Sequence, residues 1–289
     1  MNAPSNILTV DLEEWFVVEA LAKRFAPDTW PTLPTTLERN TERLLRLFQR
    51  HEVRATFYVV GWCAERLPRL ISRIAEAGHE IGCHSYNHRR VDTLTPEVFR
   101  DDVEKAVRLI FEACGVRPRG FRAPTWSINN TVPWAFEVLA DLGFEYDSSI
   151  FPIKHDLYGM PDAPRKLFRM SLGEGRFLYE MPASTYRFLG QNFPIGGGGY
   201  LRHSPYWFSR WMIRRLNQVG RPVVVYMHPW EIDPDPPPIE GLSTLQRFRT
   251  YGSVEIFEEK LVRLLEDFKF TTMIDYIRRS TRQKIGFER

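Results

Sequence analysis

Asn6-Ile7-Leu8-Thr9-Val10-Asp11 is a short, β-rich run that ends on an acid, the pattern of a buried strand delivering a carboxylate to its C-terminal edge. Leu37, Thr41, Leu44, Leu45 and Phe48 then recur at helical spacing, and Ala55-Thr56-Phe57-Tyr58-Val59-Val60 returns to a strand pattern, which makes a β-α-β unit. A helix from about Pro68 to Ala77, stopped by Gly78, leads to the strand Glu80-Ile81-Gly82-Cys83. Another opens on Thr95-Pro96, an N-cap and first-turn pair, and closes near Gly115. After Gly120-Phe121-Arg122 comes a helix around Val132 to Leu142, with Gly143 beyond it, and then Tyr146-Asp147. Repeated β-α units of this kind build a parallel sheet or barrel, so the expected fold is α/β, a distorted parallel (β/α) barrel.

From 156 to 251 the alternation weakens. A glycine run (Gly196 to Gly199), a proline cluster (Pro234, Pro236, Pro237, Pro238) and many aromatics read as a loop-rich elaboration of one domain spanning 1–289. The glycine run implies close approach to a ligand or to another backbone. Val223-Val224-Val225-Tyr226-Met227 reads as a buried strand and Ser253 to Phe268 as an amphipathic helix, so the barrel continues to the end. With 39 basic and 36 acidic residues scattered along the chain, no dense basic block offers a nucleic-acid footprint. The loose basic cluster between Arg202 and Arg221 reads first as a solvated helix face, and second as a site for a phosphate-bearing glycolipid or a membrane surface. Cys63, Cys83 and Cys114 match neither a disulfide framework nor a zinc knuckle and read as free thiols. No run is apolar enough to span a bilayer, and the N-terminal residues show neither a cationic leader nor a long apolar segment, so the expectation is a cytoplasmic protein.

Asp11, Glu13, His84, Arg122, Asp147 and His228 all fall at or just after strand ends, the edge where a parallel barrel builds its active site, and His88 follows closely. His84 and His88, four apart, bring two imidazoles toward one point, and Glu13 supplies an oxygen. Two nitrogens and one carboxylate leave a coordination position open, which for zinc is a catalytic pattern. Glu14 is the rival carboxylate, or else an acid at a helix start. Trp15, Trp126 and Trp230 flank these residues, where their faces could stack on sugar rings or simply wall the pocket. Glu231 reads as a partner for His228 or as a solvated loop acid, and Asp147 as an orienting acid or a strand-end cap. His79, His155 and His203 read as structural.

Five segments in order resemble the motifs of the NodB-homology polysaccharide deacetylases, carbohydrate esterase family four: Thr9-Val10-Asp11-Leu12-Glu13, His84-Ser85-Tyr86-Asn87-His88, Arg122-Ala123-Pro124-Thr125, the Asp147-Ser148-Ser149 region, and Val225-Tyr226-Met227-His228. The first motif departs from the family's adjacent aspartates, since Leu12 separates Asp11 from Glu13. The resemblance implies a barrel of the NodB type and a divalent metal, Zn2+ first among the choices, held by Glu13, His84 and His88. It implies Asp11 as general base, Arg122 as its ion-pair partner, His228 as general acid and the Thr125 backbone N–H as an oxyanion donor. The activity it implies is removal of acetyl groups from an N-acetylated glycan or glycolipid, with hydrolysis of small linear or cyclic amides on the same fold as the alternative. A metal-free glycosidase using Asp11 and Glu13, or a non-enzymatic glycan-binding barrel, would be further readings of the same residues. Gly159-Met-Pro-Asp-Ala-Pro-Arg165, the Gly196-Gly-Gly-Gly-Tyr200-Leu-Arg202 run and His228-Pro-Trp-Glu-Ile-Asp233 resemble the subgroup of these deacetylases found at exopolysaccharide loci beside exosortase-type sorting systems. That resemblance implies a bacterial role in exopolysaccharide or cell-surface glycan assembly, a lipid-linked or nucleotide-linked precursor as substrate, and Tyr200 as a substrate contact.

Overall fold

The computed structural model describes residues 5–155 and 157–285. The sheet grows outward from β1 (Asn6–Leu12), all seven residues of which are buried. Such a strand, covered on both faces, is the normal centre of a parallel sheet. α1 (Leu37–Arg50) turns Leu37, Thr41, Leu44, Leu47 and Phe48 inward, and β2 (Thr56–Val59) returns beside β1. α2 (Gly61–Arg66) and α3 (Pro68–Glu76) lead to β3 (Glu80–Cys83). α4 (Pro96–Cys114) is bounded as its sequence dictates: Thr95 caps the Val98 N–H, Pro96 opens the first turn, and Gly115 ends the helix at φ 69°. β4 (Gly120–Phe121), α5 (Trp134–Asp141) and β5 (Tyr146–Asp147) complete the half that alternation predicted.

The second half is richer than a loop-rich reading conveys. It holds an antiparallel hairpin, β6 (Phe168–Ser171) with β7 (Phe177–Glu180), and a second, β8 (Thr185–Phe188) with β9 (Gln191–Pro194). α6 (Gly198–His203) and α7 (Tyr206–Gln218) precede β10 (Val224–Met227), and α8 (Thr244–Tyr251), α9 (Val254–Asp267), β11 (Phe270–Thr271) and α10 (Met273–Ile285) follow it. The strand order is β10-β1-β2-β3-β4-β5-β7-β6, parallel except for β6, and β11 also pairs with β1.

This sheet is curled into an open barrel. β1 and β4 are three strand spacings apart, about 14 Å in a flat sheet whose side chains stand perpendicular to it. Yet Arg122, just beyond β4, places Nη1 2.8 Å from Thr9 Oγ1 on β1. Tyr58 on β2 likewise brings its hydroxyl 3.5 Å from that of Tyr146 on β5. The free edge of β10 is covered by the glycine run, where the Tyr226 N–H donates to Gly196 O at 2.9 Å. A Cβ at Gly196 would overlap Val224 O, so this glycine permits the backbone approach that the sequence implied. Ile7, Tyr58, Tyr146 and Val224, with Met273 and Ile277 of α10, fill the interior below the site. The strand ends above them are left to chemistry.

Candidate metal and acid–base site

β1 runs on to Glu13, and β3 runs on to His84. Beyond His84 the chain must turn so that a second imidazole faces the same point, and Ser85 and His88 adopt φ values of 61° and 52° to do so. Left-handed non-glycine residues cost of order 1–3 kcal/mol each and persist only where the surroundings enforce them. Here Asp102 of α4 accepts the Tyr86 N–H at 2.7 Å and the Asn87 N–H at 3.3 Å, and Ser85 O accepts the Gly61 N–H at 2.8 Å. The His84 Nδ1–H donates to Arg122 O at 2.6 Å, which turns Nε2 toward Glu13 and His88.

One ligand atom from each of Glu13, His84 and His88 lies within 4.8 Å of the others, and all three residues are buried. Glu13 Oε2 sits 2.7 Å from His88 Nε2 but has no aligned hydrogen-bond donor. A buried carboxylate oxygen facing two imidazole nitrogens without a donor of its own fits a divalent cation, which makes these three residues the set that could hold one. Burial alone would raise the Glu13 pKa; the His88, His228 and His84 imidazoles outweigh it and bring it down to about 2. Burial likewise dominates at His84 and lowers it to about 4, so the ring is a neutral ligand near pH 7. Glu14 turns the other way: its carboxylate accepts the Thr36 and Leu37 N–H groups at 3.1 and 3.2 Å, capping α1, and burial pushes it up to about 7. Glu13 is therefore the carboxylate brought to the histidines, and Glu14 is structural.

On one side of the cluster, Arg122 Nη1 donates to Asp11 Oδ1 at 2.7 Å. The guanidinium is wholly buried, lies over the Tyr58 ring at 4.1 Å and the Trp126 ring at 4.8 Å, and donates from Nε and Nη2 to Ser148 O and Oγ. Thr125 and Trp126 follow at φ 55° and 53°, held by Ser127, whose hydroxyl donates to Pro124 O at 2.6 Å and accepts from Val91 N at 2.9 Å.

On the other side stands His228, stacked on Trp230 with centroids 5.1 Å apart and its Nε2 3.7 Å from Glu13 Oε1. Its Nδ1 faces Glu231 Oε2 at 3.1 Å, and the same oxygen accepts the His228 N–H at 3.0 Å. Burial works against protonation of this imidazole, but the Glu13 and Glu231 carboxylates prevail and raise its pKa to about 9. Glu231 is wholly buried and held by Arg202, Nε to Oε1 at 2.9 Å, while the other Arg202 nitrogens donate to the carbonyls of Arg249, Thr250 and Gly252. A Cβ at Gly198 would overlap the Glu231 carboxylate, so that glycine makes room for the pair. Arg202 is thus a correction: read in sequence as part of a solvated basic face, it is a buried counter-charge.

Several residues read as substrate contacts do other work. Trp15 is buried in the core, its indole N–H donating to Pro34 O at 2.9 Å. Trp126 packs edge-on against Tyr226 and Phe151 beneath Arg122, a wall rather than a platform. Asp147 is wholly buried; it accepts the Ser149 hydroxyl at 2.6 Å, and Ser149 in turn accepts the Ala123 N–H at 2.8 Å, so it braces the Arg122 segment from behind. Burial raises both Asp147 and its neighbour Glu180. Tyr200 is half-exposed on α6 beside Tyr158, and Trp230 is half-buried with its indole N–H unpartnered, leaving it the aromatic best placed beside the acid–base pair. Asp102 carried no signal in the sequence that set it apart from other helix charges, and the signal at Arg202 was the glycine run that precedes it.

Residues 28–146 match the family model described as polysaccharide deacetylase, and residues 148–278 match a domain of unknown function, DUF3473. Over 108 residues, 37% of this chain and 36% of the relative, it is 35% identical to a peptidoglycan deacetylase of Helicobacter pylori. Over 98 residues, 34% of this chain and 36% of the relative, it is 33% identical to a peptidoglycan-N-acetylglucosamine deacetylase of Bacillus cereus. The match thus spans about a third of the length of these curated relatives. A crystal structure from Mycobacterium smegmatis, assigned as a polysaccharide deacetylase, superposes with a TM-score of 0.62 at 21% identity, covering 98% of this chain and 93% of that one. A family-four pseudoenzyme from Bacillus anthracis superposes with a TM-score of 0.51 at 16% identity, covering 95% of this chain and 66% of that one. These two likenesses show the shared fold. Residues 28–146 of this chain are thus similar in sequence to polysaccharide deacetylases.

Proposed function

We propose that this protein hydrolyses the N-acetyl groups of an acetylated glycan, or of its lipid-linked precursor, in exopolysaccharide or cell-surface polysaccharide assembly. The observation that carries the reading is the placement of Glu13, His84 and His88 between a carboxylate held by a buried cation, Asp11–Arg122, and an imidazole held by a buried anion, His228–Glu231. Amide hydrolysis needs a base, an acid and a polarised carbonyl, and Asp11, His228 and a cation at the cluster would supply them. A divalent ion at Glu13, His84 and His88, zinc by the donor set, supplies Lewis acidity toward water and the amide carbonyl. Asp11 accepts a proton from the attacking water, and Arg122 keeps Asp11 ionised and aimed. The Thr125 backbone N–H offers a donor to the oxyanion. His228, whose protonated form the Glu231 carboxylate favours, gives its Nε2 proton to the departing nitrogen, so that the C–N bond breaks to leave acetate and a free amine.

The peptidoglycan relatives and the resemblance to exopolysaccharide-locus deacetylases both support an acetylated sugar as substrate. The test is acetate release by the purified protein from N-acetylglucosamine oligomers, lipid-linked acetylated sugars and small linear and cyclic amides, before and after chelation and after zinc is restored. Acetate from a glycan, abolished by chelation and recovered with zinc, is the expected result. Turnover confined to small amides, or undiminished in the metal-stripped protein, would overturn the reading.

A further inference from the structure

The β8–β9 hairpin and α7 share an aromatic surface that the site does not use. Trp207, Phe208 and Trp211 all point outward from α7, Trp207 being 69% exposed. Phe208 stacks on Trp211 with centroids 6.1 Å apart, and Trp211 meets Tyr186 of β8 at 5.9 Å. Tyr186 pairs in register with Phe193 of β9, so these two rings share one face of the hairpin. Phe188, two residues along β8, is on that face too, and Leu189 at the tip is 87% exposed. Large apolar side chains exposed contiguously across two elements mark an interaction surface.

Charge says what covers it. Residues 181–221 contain six arginines, at 187, 202, 210, 214, 215 and 221, and no aspartate or glutamate. Arg202 is buried against Glu231, and Arg210 and Arg214 are steadied from behind by Asp267 of α9, at 2.8 and 3.5 Å. Arg187 and Arg215 make no ion pair among the described residues. A second copy of the same face would set arginine against arginine. A neutral sugar chain would bring no charge to match the arginines, whereas an anionic surface would.

We propose that the hairpin β8–β9 and α7 form a docking face for an anionic lipid bilayer, with Trp207, Phe208, Trp211, Phe188 and Leu189 entering the interface and Arg214 and Arg215 meeting the headgroups. Tryptophan and arginine on one face is the composition of interfacial anchors, where apolar burial and attraction to anionic lipid add. The face is tied rigidly to the site: α7 follows α6, whose Arg202 holds Glu231 and through it His228. Docking here sets the distance between the bilayer and the acid–base pair.

The test is sedimentation of the full chain with vesicles of phosphatidylcholine alone and of phosphatidylcholine with phosphatidylglycerol, together with tryptophan emission. The protein should sediment with the anionic vesicles, its emission should shift to the blue, and added salt should release it. Trp207→Ala/Trp211→Ala and, separately, Arg214→Glu/Arg215→Glu should each weaken partition about tenfold. These residues are outside the core, so both variants should remain folded and melt cooperatively. Failure to sediment with either vesicle, or partition unchanged in both variants, refutes the proposal. So does a wild-type dimer that the tryptophan variant converts to monomer, or retention on an insoluble acetylated glycan that the same variant abolishes. None of these readouts requires deacetylase activity.

Discussion

Asp11→Asn separates what the Asp11–Arg122 pair does for stability from what it does for chemistry. Arg122 is wholly buried, and Nη1 donates at 2.7 Å to Asp11 and at 2.8 Å to Thr9 Oγ1, while Nε and Nη2 reach Ser148 at 3.3 Å. Asparagine keeps an acceptor at the Oδ1 position and removes only the charge. A hydrogen bond to a charged group contributes about 1.5–3 kcal/mol and a neutral one about 1 kcal/mol, so the loss should be at most about 2 kcal/mol. Asp11→Ala also removes the acceptor and strands a buried cation, which costs about 3–5 kcal/mol. At about 2 °C per kcal/mol for a chain of this size, the melting temperatures should fall by at most roughly 4 °C and by roughly 8 °C. Turnover should behave differently: both variants lack the base, so both should lose about 10²–10⁴-fold. Metal content should match the wild type in both, since Asp11 is outside the ligand cluster. Calorimetry, acetate release and elemental analysis on the three proteins decide the matter. An asparagine variant with more than a tenth of wild-type turnover, or one as destabilised as the alanine variant, would refute the reasoning.

His84→Ala should lose bound metal along with activity, which elemental analysis after dialysis would distinguish from the metal-replete Asp11→Asn. Gly198→Ala places a methyl where the Glu231 carboxylate sits, so turnover should fall at least about tenfold with metal content unchanged; wild-type turnover would mean that Glu231 does not position His228. Arg202→Met leaves Glu231 buried without its cation and should lower unfolding free energy by about 3–5 kcal/mol in urea titrations. His79 is buried, accepts the Ala55 N–H at 3.1 Å, and is held down to about pKa 4 by burial and then by Arg54. Because its folded pKa lies below the unfolded value of about 6.5, the unfolded chain takes the proton first, and stability is full above pH 6.5 and declines toward pH 4. The decline should approach about 3 kcal/mol, and His79→Gln should flatten it; an equal acid slope in that variant would remove His79 as the cause.

The sequence made the first half of the barrel legible because local rules and tertiary demands agree there. Thr95, Pro96 and Gly115 bound α4, and inward positions of α1 recur at the helical period. Asp11, Glu13, His84, Arg122 and His228 were legible for a related reason: each is a chemically costly residue at the end of an apolar strand, where only a site explains it. Trp15 was misread because adjacency to Glu13 says nothing about which side of the chain a ring packs on. The hairpins β6–β7 and β8–β9 escaped because each strand is only four residues long, too short for its alternation to stand out from the surrounding loops.

The residues that hold the ligands in place were legible least, and the cause is physical. Asp102 acts on His88 by fixing the backbone of Tyr86 and Asn87, and Arg202 acts on His228 across 29 residues of sequence through Glu231. A buried charge is tolerable only when its partner is near, and nearness between distant residues is decided by the fold, so Arg202 and Arg215 look alike in sequence though one is buried and the other exposed. The trace such a pair does leave is steric. Two fully buried charged side chains need volume, and here it is conceded by Gly198, the position at which any side chain would strike the Glu231 carboxylate. The glycine run next to Arg202, and not the arginine itself, is therefore the local sign that a buried ion pair stands behind His228.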